Sequence, residues 1–497
     1  MGSVRQQEDL QKVHKHRKNR ESLLETLESI VVAFVLAFIF RAFIVEAFVI
    51  PTGSMAPTLY GAHAEFKCED CGYQFGTGVQ GAIGSEPLCP NCYLPQHLAE
   101  RVPVYSGDRL LVLKYLYDFQ EPQRWDVIVF HNPNDPSQNY IKRLIGLPRE
   151  RVELISGNVT IDGHIVHKPD VAQNALWMLV HDTRYRATRT GWEPRWVGDR
   201  DWEANGPAFI LSRAPDRDRT AYLAYRHRGP GGRLENIMDF YAYNTASDNR
   251  RLPPAVVADL GLRAEITAGQ ASSVVVIEMR AYKDRFRFEL TAEGAEQPAR
   301  VFINDKVAAQ AAGGVLPVGR AISVLAANVD HKVMLVVGGR RVAQALGGET
   351  TPEGDAAYEP KPLSEDDRSR FDNPPGDDPR GMASEVRVGA RGGQARLGYL
   401  RLDRDVYYLN ETVSAVTGGS QAGNGTQGNP FTVKPDYFFV CGDNSPQSYD
   451  SRAWNLPEPA APRRNLLGKA FFVYWPSAGW RYGVPVAPDL TAFRLVH

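Results

Sequence analysis

An excess of either charge is missing from this chain. Its 57 Lys and Arg face 58 Asp and Glu, for a net charge of −1, so no overall basic field points to nucleic acid. No segment reads as a DNA-binding element, and there is no tandem repeat. Long apolar runs are scarce too. Ile30–Phe40 carries no charge, yet it is short against the ~20 apolar residues a bilayer span needs. Cysteine is rare, with five in 497 residues.

What is present starts with a strongly basic stretch, Lys12-Val-His-Lys-His-Arg-Lys-Asn-Arg20, ahead of the apolar run. Extending the run back to Leu23 makes a helix of sufficient length, with Glu25 and Glu28 near one end, where charges reach the headgroups. An interfacial helix and a cleaved signal peptide are the alternatives. Cleavage needs a small-residue exit site after Phe40, and Arg41, Phe43 and Glu46 follow instead. The favoured reading is a transmembrane helix over 22–41, with the basic tail 1–21 on the cytoplasmic side and the rest outside.

The length suits about three domains. Ala42–Ile50, Leu110–Lys114, Val127–Phe130, Tyr140–Ile145, Val152–Ile161, Tyr437–Val440 and Ala470–Tyr474 are rich in β-branched and aromatic residues and predict strands. Asp162-Gly163 is a hairpin turn signal. If the first of these strands stays extended, Phe48, Ile50, Thr52 and Ser54 share one face. The fold class is therefore mainly β, with a catalytic core made of 42–63, 104–167 and 431–497. Residues 64–103 are an insert holding four cysteines. Residues 168–410 are a larger one, without clear periodicity in its Trp/Arg/Asp-rich first part. From about 260 on, Ser273–Met279, Arg285–Leu290, Val301–Val307 about Asn304-Asp305, the hairpin Val333–Ala343 and Ala395–Leu402 predict a β-sandwich. Gly347–Gly381 reads as a disordered loop, and 411–430, rich in Gly, Ser and Asn, as a linker.

Three runs carry chemistry: Ile50-Pro-Thr-Gly-Ser-Met-Ala-Pro-Thr-Leu59, Tyr140-Ile-Lys-Arg-Leu-Ile-Gly-Leu-Pro148 and Gly442-Asp-Asn-Ser-Pro-Gln-Ser-Tyr-Asp-Ser-Arg452. A serine hydroxyl needs a base to act as a nucleophile, and no His/Asp partner is evident near Ser54; no flanking pattern recommends His63. A lysine serves only when neutral, which burial favours, and Lys142 lies among Ile141, Leu144 and Ile145.

In this order behind an anchor, the runs resemble the boxes of the type I signal peptidases. The resemblance covers about 22–63, 104–165 and 431–480. It implies a membrane-bound serine endopeptidase that cuts signal peptides from exported preproteins at Ala-x-Ala-like sites, with Ser54 as nucleophile and Lys142 as general base. It implies oxyanion donors at the Ser54 N–H and the Thr52 hydroxyl, where a serine is common, and a lysine-orienting hydroxyl at Ser448. Asp450 and Arg452 match a structural ion pair, Gly442, Asp443 and Asn444 a turn, and Gly107–Lys114 a further structural box. Phe48, Ile50, Met55, Leu59, Tyr140 and Ile141 match the walls of two shallow apolar pockets, some of them expected to be plain core. Arg149-Glu150 departs from a frequent Gly-Asp, which touches a turn and not the dyad. No cofactor is implied for catalysis. The implied location is the inner membrane of a bacterium, single-pass, in contact with lipid.

Cys68-x-x-Cys71 and Cys89-x-x-Cys92 are separated by 17 residues, the spacing of a zinc ribbon whose four thiolates close a tetrahedron around a structural zinc. Two disulfides are the alternative, since the compartment is oxidising. Cys441 is expected to be a buried thiol, and His97 a surface residue rather than a substitute ligand. Segment 328–342 is similar to the strand–turn–strand of concanavalin-like (laminin-G-type) folds, which leaves a glycan or protein ligand of the sandwich open. Two further readings are a surface-anchored binding protein with an inactive core and an autoproteolytic repressor. Intact Ser54, Lys142 and Ser448 speak against the first, the anchor against the second.

Overall fold

A computed structural model describes residues 26–497 apart from 40, 42–43, 80–85, 98–103, 213–218, 246–253, 296–297, 312–314, 348–355, 375–377, 414–419, 476–479, 482–483 and 486–492. The basic tail lies outside the described residues, as do 22–25, 40 and most of the loop tip after Gly347. Residues 26–39 are helical, and Leu27, Val31, Phe34 and Phe38 on this helix are exposed. Among the described residues, no helix is long and apolar enough to cross a membrane.

The chain is mainly β. Its first sheet runs in the order Val45–Val49, Arg109–Leu113, Leu466–Trp475, Val127–His131, Asn139–Gly146, Tyr437–Cys441, Ala461–Pro462. The strands meet antiparallel. Val127–Phe130, an apolar run, and Ile141–Gly146, which carries Lys142 and Arg143, are buried throughout. A second sheet joins Arg151–Ile155, Asn158–Ile161, His164–Ile165 and Phe431–Thr432. The single strand predicted over Val152–Ile161 is thus two, split by a turn at Ser156-Gly157 with φ of 53° and 88°. Asp162-Gly163 turns as its sequence predicts, with φ of 51° and 91°.

Nine- and seven-stranded sheets stack into a sandwich. Alternation drives it: Leu260, Leu262, Ala264 and Ile266 of one sheet meet Val275, Ile277, Phe286 and Phe288 of the other in one buried cluster. Asn304-Asp305 (φ 50° and 66°) and Gly338-Gly339 (φ 57° and 79°) make tight turns. The Trp/Arg/Asp-rich part also holds strands, Met178–Asp182, Trp196–Gly198, Trp202–Asn205, Ala208–Leu211 and Ala221–Tyr225. Their side chains include buried Trp196 and Trp202, whose weight periodicity alone does not show.

Two stretches read as loose are ordered where described. Glu365–Asp372 is a helix, started by a capping box between Ser364 and Asp367. Thr426 is 1 % exposed, and Asn424 Nδ2 donates to the Ser451, Arg452 and Trp454 carbonyls at 3.1–3.3 Å. Polar composition there serves backbone hydrogen bonds rather than solvation.

Candidate active site

Ser54 does not lie on an extended strand. The strand ends at Val49, Thr52 is still extended, and Gly53–Met55 then forms a 3₁₀ turn with all three residues buried, so the predicted shared face of Phe48, Ile50, Thr52 and Ser54 is broken at Gly53. The turn is closed from behind by the Gly107–Lys114 box. Ile50 N–H donates to Asp108 O at 3.0 Å and Asp108 N–H to Tyr60 O at 2.9 Å. The Asp108 carboxylate accepts from Tyr60 N at 3.0 Å and Arg494 at 2.7 Å. A Cβ on Gly107 would collide with the Ile50 carbonyl, which is why glycine stands there.

Lys142 is on the strand Asn139–Gly146, opposite Ile128. Its Nζ lies 2.7 Å from Ser54 Oγ, to which it donates, and 3.1 Å from Ile141 O. Lys142 is 4 % and Ser54 7 % exposed. Burial pulls the amine down from 10.5 to about 8, against the raising effect of the Asp450 and Asp443 charges. A serine hydroxyl and a lysine that loses its proton near neutrality are thus in hydrogen-bond contact, the arrangement of a nucleophile with its base.

The third run wraps this pair. Asp450 and Arg452 are fully buried and form two hydrogen bonds of 2.8–2.9 Å. Burial alone would raise Asp450, but the Arg452 charge and hydrogen bonds, with the Gly442 N–H, hold it below the usual carboxylate range. Gly442 has no room for a Cβ, which would meet Ser448 and the Ser54 carbonyl. Asn444 N–H donates to Ser54 O at 3.0 Å, and Asn444 Nδ2 to Gly53 O at 2.9 Å. Asp443 takes a bidentate pair from Arg143 at 2.7 Å, both side chains fully buried.

Ser448 Oγ is buried without a hydrogen bond of good geometry, so no Ser448–Lys142 bond is formed in this conformation. Thr52 is exposed and its side chain makes no cap bond to the turn. Ile50, Met55, Leu59 and Ile141 belong to one buried cluster. Only Phe48 and Tyr140 of the six wall residues keep substantial exposure. Tyr140 also places its ring 5.2 Å from Lys142 Nζ. His63 is engaged with Gly61 O at 2.7 Å. Arg149 adopts φ 73° where a glycine is frequent, a left-handed conformation that costs an L-residue about 1–2 kcal/mol. Glu150 steadies that turn through Leu147 N and Arg124.

The four cysteines of 64–103 converge. Cys68 Sγ and Cys92 Sγ lie 3.6 Å apart, as do Cys71 and Cys89, and the four sulfurs fall within 4.8 Å of one another. All four are free thiols. The two halves match: Gly72 N–H donates to Cys68 O at 2.9 Å and Tyr93 N–H to Cys89 O at 2.8 Å, with φ of 75° and 57°. A tetrahedron with metal–sulfur bonds of about 2.3 Å has edges of roughly 3.8 Å, so the spacing fits a metal. Buried Gln96 donates to Cys68 Sγ at 3.6 Å. His97 is exposed and pairs with Glu86. Cys441 is fully buried, and burial pushes its thiol well up.

The family model described as "Signal peptidase, peptidase S26" matches residues 101–191 and 394–475. Over these two segments the chain is similar to the signal peptidases. Among the curated relatives, "Signal peptidase I" of Rickettsia typhi is 28 % identical over 154 residues, 31 % of this chain and 49 % of that protein. That of Rickettsia rickettsii is 31 % identical over 141 residues, 28 % of this chain and 44 % of that protein. The chain therefore spans less than half the length of these relatives. Among solved structures, a carbohydrate-binding module from Bacillus subtilis is 8 % identical with a TM-score of 0.25, over 42 % of this chain and 95 % of that one. A κ-carrageenase from Pseudoalteromonas carrageenovora is 9 % identical with the same score, over 48 % and 100 %. Likenesses this weak carry neither a fold nor a ligand over to this chain.

Several residues around the site had no role in the sequence reading. Arg143, inside the quoted Tyr140–Pro148 run, could have been suspected as a partner for Asp443. Tyr241, Tyr243 and Asn244 could not. They come from the large insert, yet Tyr241 Oη donates to Asp443 O and Tyr243 Oη to Ala62 O, each at 3.0 Å.

Proposed function

We propose that this chain is a membrane-anchored serine endopeptidase that removes N-terminal signal peptides from exported precursors at Ala-x-Ala-like sites. The observation that carries the reading is the 2.7 Å contact between Ser54 Oγ and a buried Lys142. In the neutral state, the Lys142 lone pair takes the Ser54 proton as Oγ attacks the scissile carbonyl. The Ser54 N–H and the Thr52 hydroxyl are the assigned oxyanion donors. The ammonium then gives its proton to the leaving amine. Water, activated by the same amine, hydrolyses the acyl-serine. Phe48 and Tyr140 border the substrate groove, with Ile50, Met55, Leu59 and Ile141 beneath them. Ser448 orients the lysine once substrate orders the site.

The basic stretch before an exposed apolar helix supports an inner-membrane anchor with a cytoplasmic N-terminus. The matched knuckles and the spacing of Cys68, Cys71, Cys89 and Cys92 support a structural zinc, with no role in the reaction. The test is cleavage of a precursor carrying an Ala-x-Ala site by wild type, Ser54→Ala, Lys142→Ala and Lys142→Arg. All three variants should be inactive, the last because guanidinium stays protonated. Processing by Lys142→Arg sinks the mechanism.

A further inference from the structure

The large insert sends a 3₁₀ turn, Ala242–Asn244, into the gap between the cysteine knuckles and the nucleophile turn. On one side Thr77 Oγ1 donates to Ala242 O at 3.3 Å and Tyr243 O at 3.4 Å, and Leu88 N–H to Thr245 Oγ1 at 3.2 Å. On the other, the Tyr243 ring lies where a Cβ on Gly53 would stand. At the tip, Asn244 and Asn444 form a reciprocal amide pair. Asn244 Nδ2 donates to Asn444 Oδ1 and Asn444 Nδ2 to Asn244 Oδ1, both at 2.8 Å. Asn244 is 4 % exposed and Asn444 fully buried.

The second hydrogen of Asn444 Nδ2 goes to Gly53 O, which also accepts from Ala56 N–H at 3.0 Å. Gly53 O and Ser54 N–H belong to one peptide plane. In a trans peptide these two groups point in opposite directions. Gripping the carbonyl therefore aims the Ser54 N–H away from Asn444. Asn444 can grip it only with its nitrogen. A flipped carboxamide would set Oδ1 against Gly53 O, so this carbonyl selects the orientation, and Asn244, with a donor for Oδ1 and an acceptor for Nδ2, holds the carboxamide in place against it.

We propose that Asn244 of the insert is a positioning residue for the oxyanion site, locking the Asn444 amide and through it the direction of the Ser54 N–H. The inference rests on the Ser/Lys reading above. Asn244 touches no reacting atom; it acts through Asn444.

The test measures kcat and KM for an Ala-x-Ala peptide across a pH range, with wild type, Ser54→Ala, Asn244→Asp, Asn244→Ala, Asn444→Ala and the double variant Asn244→Ala/Asn444→Ala. Asn244→Asp keeps the shape, loses the donor and sets an oxygen against Asn444 Oδ1. Loss of a direct oxyanion donor costs ~10²–10³ in kcat, so misdirecting one should cost about tenfold or more. KM and the pH midpoint should hold, which a general loss of structure would not leave in place. With Asn444 already absent, removing Asn244 should lower kcat by less than about twofold. The proposal is overturned if both single Asn244 variants keep kcat within about twofold of wild type, or if the Asn244 and Asn444 losses simply multiply. It falls together with the Ser/Lys reading if Ser54→Ala still cleaves. Should Asn244→Ala fail to fold, the isosteric Asn244→Asp decides.

Discussion

Replacing Lys142 by methionine should make the protein inactive and, near neutral pH, harder to unfold. Burial lowers the lysine from 10.5 to about 8. At pH 7 about one lysine in ten is then neutral, against roughly three in 10⁴ for an unperturbed side chain, a gain in base of about 300-fold. The same shift costs stability. Between about 8 and 10.5 the unfolded chain binds more protons than the folded one, so stability rises with pH across that window. Below it the penalty is complete, about 3 kcal/mol. Methionine removes this penalty but leaves Ser54 Oγ and Ile141 O without the lysine, about 1 kcal/mol each. The variant should therefore be about 1 kcal/mol more stable than wild type at pH 7 and less stable above pH 10.5, with the difference read by urea unfolding at each pH. Wild-type kcat/KM should fall tenfold per pH unit below a midpoint of about 8. A difference between the two proteins that does not change with pH, or an activity midpoint near 10, would refute the reasoning.

Protein isolated from its native compartment should carry about one zinc per chain, lost in Cys68→Ser and Cys89→Ser; elemental analysis showing no metal alongside two disulfides overturns the zinc assignment. Asp443→Asn should strand the fully buried Arg143 and cost about 3–5 kcal/mol in urea unfolding, whereas a loss under about 1 kcal/mol would mean water reaches that pair.

The contact of Ser54, Lys142 and the Gly442–Arg452 loop was legible because each lies in a short run of distinctive residue types. The strands were legible where one face is buried, as in Arg285–Leu290, or where a turn needs positive φ, as at Asp162-Gly163. The strands near Trp196 and Trp202 were not, since bulky side chains among charges leave no period. The helix Glu365–Asp372 was missed because its capping box lies in a stretch whose composition reads as solvated. The 3₁₀ turn at Ser54 was missed because it depends on tertiary bonds from Asn444.

The sequence by itself determined which groups could react: a serine without a histidine, a lysine in an apolar run and four cysteines at knuckle spacing. Tertiary structure decided what those groups can do. Lys142 and Ser54 are 88 positions apart, Arg143 and Asp443 300, and Asn244 and Asn444 200. Hydrogen bonds and desolvation act over a few ångströms whatever the separation along the chain, so the lowered lysine pKa and the direction of the Ser54 N–H exist only once the sheets have brought these segments together.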